Sequence, residues 1–229
     1  MKFYVAIYIA FFFNISIAQS SKDTEIWEPI PKKVYSISDS APPNDAIVLF
    51  DGTDLSKWEG NWDDKESEWM INDDGFLVNN GNDGPRIQTK ENFGSVQLHI
   101  EWKTSEDLSY KNQDRSNSGV FLQGKYEIQI LDSYENQTYV NGQAGSVYKQ
   151  YIPLVNSSRK PGEWQSYDIV FKAPEFNAKG EKVKSGYFTV FHNGVLIQNH
   201  VEILGTTENV GPPKNLSLIH ISEPTRRLN

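Results

Sequence analysis

Residues 187–203, YFTVFHNGVLIQNHVEI, hold two alternating arms around Asn193-Gly194. A type I′ turn needs two consecutive residues at positive φ, and Asn-Gly supplies them with little strain, so the segment reads as a β-hairpin. A tight hairpin forces antiparallel pairing, and the apolar face of such a sheet must be covered by a second layer. Asp73-Asp74-Gly75, set between Trp69–Ile71 and Phe76–Val78, is a second turn signal of this kind. Further short runs lie at Ala46–Phe50, Ser95–Lys103, Trp164–Lys172, Gly186–His192 and Val195–Val201. Turn residues bound each run, and almost no 3.6-residue periodicity separates them. The expected fold class is all-β, a sandwich or jelly roll with sheet packed on sheet.

Ser116 to Ser133, SNSGVFLQGKYEIQILDS, reads as two more strands joined around Gly124. On the second strand Tyr126, Ile128 and Ile130 fall on one face and Glu127, Gln129 and Leu131 on the other. A polar face on an antiparallel strand is commonly just the solvated side of a sheet. It is also the form a sugar site takes, because hydroxyls need fixed donors and acceptors. Val96–Lys103 shows the same split, with Gln97, His99, Glu101 and Lys103 on its polar side. Six Trp and eleven Tyr provide rings on which a pyranose could stack, although aromatics fill cores first.

Residues 1–18 carry Lys2, an apolar run from Phe3 to Phe13 and small residues at Ser16 and Ala18. This is the pattern of a secretory signal cut after Ala18, and the run is shorter than the ~20 apolar residues of a spanning helix. No membrane span is expected after cleavage, and a periplasmic or secreted destination in a bacterium fits the absence of cysteine. Residues 19–45 are rich in Pro, Ser and charge and read as an extended leader. One domain follows over 46–215, and 216–229 form an atypical, basic tail. A net charge of −8 and a pI near 5.1 argue against nucleic acid as a partner.

The chain has no G-x-S-x-G elbow, H-E-x-x-H pair, phosphate-cradling loop or dinucleotide fingerprint. His99, His192, His200 and His220 make no recognised metal motif, so no cofactor is expected and a divalent metal is left open. Glu127 and Asp132 point to opposite faces of a regular strand and make a poor glycosidase pair, whereas Glu101 and Glu127 share polar faces that could converge.

Five segments taken in order resemble one family: FDGTDLSKWEG at 50–60, the strand ending LHIEW at 98–102, SNSGVFLQGKYEIQILDS, PGEWQSYDIVF at 161–171 and VFHNGVLIQNHVEI at 190–203. Together they are similar to the 3-keto-disaccharide hydrolase family, also described as 3-keto-glucoside-1,2-lyase and 3-keto-2-hydroxy-glucal hydratase domains. The resemblance implies a concanavalin A-like lectin/glucanase jelly roll acting on a glycoside whose carbon 3 has been oxidised by an upstream glycoside 3-dehydrogenase. A 3-ketone acidifies the hydrogen on carbon 2, so a general base removes it and the enolate expels the oxygen on carbon 1. Elimination and net hydrolysis are both open at this level, and a non-catalytic carbohydrate-binding module is the alternative use of the same fold.

By motif position Glu127 is the candidate base, with Glu101 and His200 as further catalytic candidates. Gln129, Tyr148 and Lys149 are candidates for the developing oxyanion, and Trp164 for a stacking wall. Arg115 and Asn117 are candidates for hydroxyl binding, as is Asp132, which could equally cap the turn at 132–134. The departure lies at the end. A further strand is expected after GPPK, yet the chain runs into LSLIHISEPTRRLN. The expectation is a frame interrupted near Asn215 and a sheet short of its last strand.

Overall fold

The computed structural model describes residues 21–38, 41–60, 69–79 and 86–213. The expected signal at 1–18, the tail at 216–229 with its expected missing strand, and His220 lie outside them. Residues 1–48 and 49–229 form two units. In the first, the described residues hold a short 3-10 turn at Ser21–Thr24 and a loop closed by Tyr35 and Asn44, whose backbone and side chain bond to each other at 2.9 and 3.1 Å.

In the second unit the described residues form strands and two 3-10 turns, with no α-helix. The strands are β1 (Trp58–Gly60), β2 (Trp69–Ile71), β3 (Leu77–Asn79), β4 (Ile87–Thr89), β5 (Val96–Lys103), β6 (Ser118–Leu122), β7 (Tyr126–Ile130), β8 (Trp164–Lys172), β9 (Glu175–Phe176), β10 (Lys182–Lys184), β11 (Tyr187–His192) and β12 (Val195–Glu202). β12, β11, β8 and β5 form an antiparallel sheet in that order, and β6 pairs with β7. β1–β4, β2–β3 and β9–β10 are smaller pairs.

Alternation decides how the layers meet. β8 buries Gln165, Tyr167, Ile169 and Phe171 while its other residues face outward. β11 does the same with Phe188, Val190 and His192. These pack on Tyr126 and Ile128 of β7: the rings of Tyr126 and Phe171 are 5.8 Å apart, and the Tyr167 hydroxyl donates to the Gln129 carbonyl at 2.8 Å. At ~25 cal/mol per Å² of apolar surface, fully burying one such side chain stabilises the fold by about 1.5–3 kcal/mol. The result is a β-sandwich, with the larger sheet over the β6–β7 hairpin.

Both expected turns are present. Asn193 and Gly194 have φ of 52° and 78° between β11 and β12. Gly75 has φ 77° in the turn between β2 and β3. Ala46–Phe50, expected as a strand, is not one. Ile47 is 52% exposed, and the Leu49 carbonyl accepts the Trp58 indole N–H at 2.8 Å instead of a ladder bond. The strand that follows is β1, paired with β4, and neither shows an apolar alternation long enough to read from sequence.

Candidate active site

Glu127 is the second residue of β7, opposite Phe121 of β6. Strand alternation sends it and Gln129 to the face of the hairpin away from Tyr126 and Ile128. That face is not solvated, since Glu127 is 8% exposed and Gln129 0%. Gly119 makes the room: a Cβ at that position would stand 2.2 Å from Glu127 Oε1. The Gln129 amide, with its nitrogen toward Glu127, donates to Oε1 at 3.1 Å and to the Ser118 carbonyl at 3.0 Å. The reverse orientation sets its oxygen against acceptors only. At its other end the amide lies 3.0 Å from Asn117 Oδ1, so Asn117, exposed at the start of β6, belongs to the same cluster.

A second segment is laid along β7 and carries the rest of the site. Gly145 N donates to the Gln129 carbonyl at 2.9 Å, Gln129 N to the Ser146 carbonyl at 3.0 Å, and Tyr148 N to the Glu127 carbonyl at 3.2 Å. This ladder delivers Tyr148 and Lys149 beside Glu127. Lys149 turns the chain at φ 57°, and its Nζ lies 5.1 Å from the Tyr148 ring centre and 5.8 Å from that of Tyr139. It also donates to the Asn209 carbonyl. The hydroxyls of Tyr139 and Tyr148 are 2.5 Å apart. A strap at 205–209 closes the strand edge: Thr207 Oγ1 accepts from Glu127 N at 3.0 Å, and Thr207 N donates to the Lys125 carbonyl at 2.8 Å.

Burial removes water from the Glu127 carboxylate and pushes its pKa up to about 7, with Arg86 and Lys149 pulling partly back. Tyr148 is raised too, by burial first, then by its hydrogen bond to Tyr139 and by the charges of Tyr139 and Glu127. A carboxyl group divided between its two forms near neutral pH, with cations close by, is equipped to take a proton and to steady the anion that forms.

The other candidates stand elsewhere. Glu101 projects from β5 on the outer face of the larger sheet, opposite Ser166, so it does not converge with Glu127 as the shared alternation suggested. The two strands belong to different layers, and their polar sides face opposite ways. On that outer face His99 Nδ1 lies 2.7 Å from Asp168 Oδ1. His200, at φ 50°, is exposed and stacks on Tyr187 at 4.2 Å. Trp164 meets Phe76 edge-on at 4.8 Å beneath Lys103, again outside the Glu127 cluster. Arg115 and Asp132 occupy each other: Arg115 Nε donates to Asp132 Oδ2 at 2.9 Å, while Oδ1 accepts from Tyr134 N at 3.1 Å. Asp132 is the turn cap, and the pair braces the entry to β6 through Asp132 N and the Arg115 carbonyl.

Arg86, Tyr139, Thr207 and Gly119 join the site without having been singled out in the sequence. Gly119 alone carried a signal, since an isolated glycine inside a strand marks a close approach. Arg86 and Tyr139 sit in irregular segments where no periodicity points anywhere. Among the described residues no three His, Cys, Asp or Glu side chains gather as a metal site. Glu127 offers an ion one carboxylate and two competing cations. A shallow polar depression lined by Ser133, Glu135, Asn136, Gln137 and Asn156 lies beyond the Asp132 turn, apart from the cluster.

One solved structure agrees with this architecture. A candidate glycosyl hydrolase from Parabacteroides distasonis ATCC 8503, in a 2.13 Å crystal structure, is 47% identical, with 86% of this chain and 85% of that one covered and a TM-score of 0.78. A second candidate glycosyl hydrolase from the same organism, at 1.70 Å, is 19% identical over 66% of this chain and 69% of its own, with a TM-score of 0.44. No curated protein matches. Residues 45–224 match the 3-keto-alpha-glucoside-1,2-lyase-like domain, a match that runs into the segment set apart above as a tail. With that domain spanning most of its length, the chain belongs to the family of 3-keto-alpha-glucoside-1,2-lyase-like proteins.

Proposed function

We propose that this protein cleaves 3-keto-glycosides by elimination, with Glu127 as the base that takes the proton from carbon 2. The observation that carries the reading is the buried Glu127 carboxyl, with a pKa of about 7, seated over Gly119 between an amide and two cationic side chains. A group that only bound sugar hydroxyls would gain nothing from being half neutral at working pH, whereas a general base works best with a pKa near that pH. This favours an enzyme over a binding module.

In the proposed step the Glu127 carboxylate accepts the carbon-2 proton, and the electron pair of that C–H bond forms an enolate with the 3-keto oxygen. Lys149 and Arg86 supply positive charge near the developing oxyanion. The enolate collapses, carbon 3 regains its carbonyl, a double bond forms between carbons 1 and 2, and the aglycone oxygen leaves. Water adding across that double bond afterwards would give net hydrolysis. The substrate implies a glycoside 3-dehydrogenase acting upstream, and a periplasmic or secreted site of action is part of the proposal. No described helix is long and apolar enough to cross a membrane.

The test is incubation of the purified protein with a 3-keto-glucoside and analysis of the products by mass. Aglycone released with a sugar lighter by one water, or with 3-keto-glucose whose carbon-2 hydrogen came from solvent, and lost in Glu127→Gln, supports the reading. Intact substrate overturns it.

A further inference from the structure

The Tyr139 side chain is the outermost group of the cluster, 41% exposed, while Tyr148 is half-buried behind it. Its position is built. Gly142 lies under the ring, where a Cβ would come within 2.0 Å of Tyr139 Cε2, so a glycine is required there for the same reason as at Gly119. Gly142 N bonds the Tyr139 carbonyl at 3.0 Å, which folds the segment into a 3-10 turn and fixes the ring over its own chain. The two hydroxyls at 2.5 Å share one hydrogen bond. One of them donates, and the other keeps a proton for use elsewhere.

We infer that Tyr139 is a catalytic residue: its hydroxyl, held by Tyr148 Oη and facing the open side of the cluster, donates the proton that the departing glycosidic oxygen takes up. This rests on reading the Glu127 site as one of elimination. Either hydroxyl can donate across this contact, and when Tyr148 donates, the Tyr139 proton is left for the departing oxygen. When the bond from carbon 1 to oxygen breaks, the oxygen keeps the electron pair and takes the Tyr139 proton. The tyrosinate left behind accepts from Tyr148 and has Lys149 Nζ 5.8 Å from its ring centre. Water restores the proton, and Glu127 releases the one taken from carbon 2, so the cycle balances.

The experiment compares Tyr139→Phe with wild type on two 3-keto-glucosides, one with 4-nitrophenol and one with methanol as leaving group. Nitrophenolate departs without help, and methoxide does not. The variant is expected to lose about 10²–10⁴-fold on the methyl glycoside and less than about fivefold on the nitrophenyl glycoside. In deuterium oxide, methyl substrate recovered from the variant should carry deuterium at carbon 2, because proton removal continues while expulsion stalls. Tyr148→Phe should show the same asymmetry to a smaller degree. Equal losses on both substrates, or no loss on either, with no deuterium in recovered substrate, would overturn the assignment and make Tyr139 a wall of the site. Wild type inert toward both substrates would overturn the elimination reading itself, and this inference with it.

Discussion

Glu127→Gln should raise stability while abolishing activity. The folded protein holds the Glu127 pKa at about 7, against an ordinary value of 4.5, chiefly through burial. A carboxyl with a raised pKa binds its proton more tightly folded than unfolded, so its contribution is full below about pH 4.5 and is lost as pH rises through about 7. Each tenfold in acidity is worth ~1.4 kcal/mol, so at pH 8 the buried charge costs the fold about 3 kcal/mol. Glutamine keeps the shape, still accepts from Gln129 and carries no charge. In urea unfolding the variant is expected to exceed wild type by about 3 kcal/mol at pH 8, equivalent to roughly 6–12 °C in Tm for a chain of this size. The difference should shrink toward zero near pH 4.5. A variant less stable than wild type at pH 8, or a difference independent of pH, would refute the argument that desolvation sets this group's acidity.

The kcat/KM of wild type on a 3-keto-glucoside should rise with pH through an apparent pKa near 7 as Glu127 ionises, and Lys149→Met should move that limb to higher pH by removing a favourable charge. Gly119→Ala should lose about 1–3 kcal/mol by urea titration, since its Cβ would stand 2.2 Å from Oε1 and 2.8 Å from Cγ of the buried Glu127, and ~10²-fold in kcat because the carboxylate is pushed aside. Asp132→Ala should cost about 3–5 kcal/mol in the same titration, because Arg115 is left buried without its partner.

What could be read from the sequence was what is local. The Asn193-Gly194 turn follows from backbone chemistry alone, and the two-faced pattern of Tyr126 to Leu131 needs only the period of a strand. The same pattern could not say which polar face would be covered. Val96–Lys103 and Tyr126–Ile130 alternate alike, yet one joins the larger sheet with Glu101 outward, while the other has Glu127 roofed by residues some 20 and 80 positions along the chain. Trp164 and His200 stand apart from the Glu127 cluster for the same reason, since layer and strand order decide their neighbours. Arg86 and Tyr139 reach the site from irregular segments, where periodicity carries no information.

Carbon 2 is where the account is most exposed. Wild-type protein turning over a 3-keto-glucoside in deuterium oxide, stopped early and read by mass and proton NMR, reports directly on whether that carbon loses its hydrogen. Base catalysis by Glu127 predicts an unsaturated sugar without the carbon-2 hydrogen, or hydrated 3-keto-glucose carrying one solvent deuterium there. Release of 3-keto-glucose with its original hydrogen retained at carbon 2 would mean direct displacement at carbon 1, and would contradict the role assigned to Glu127.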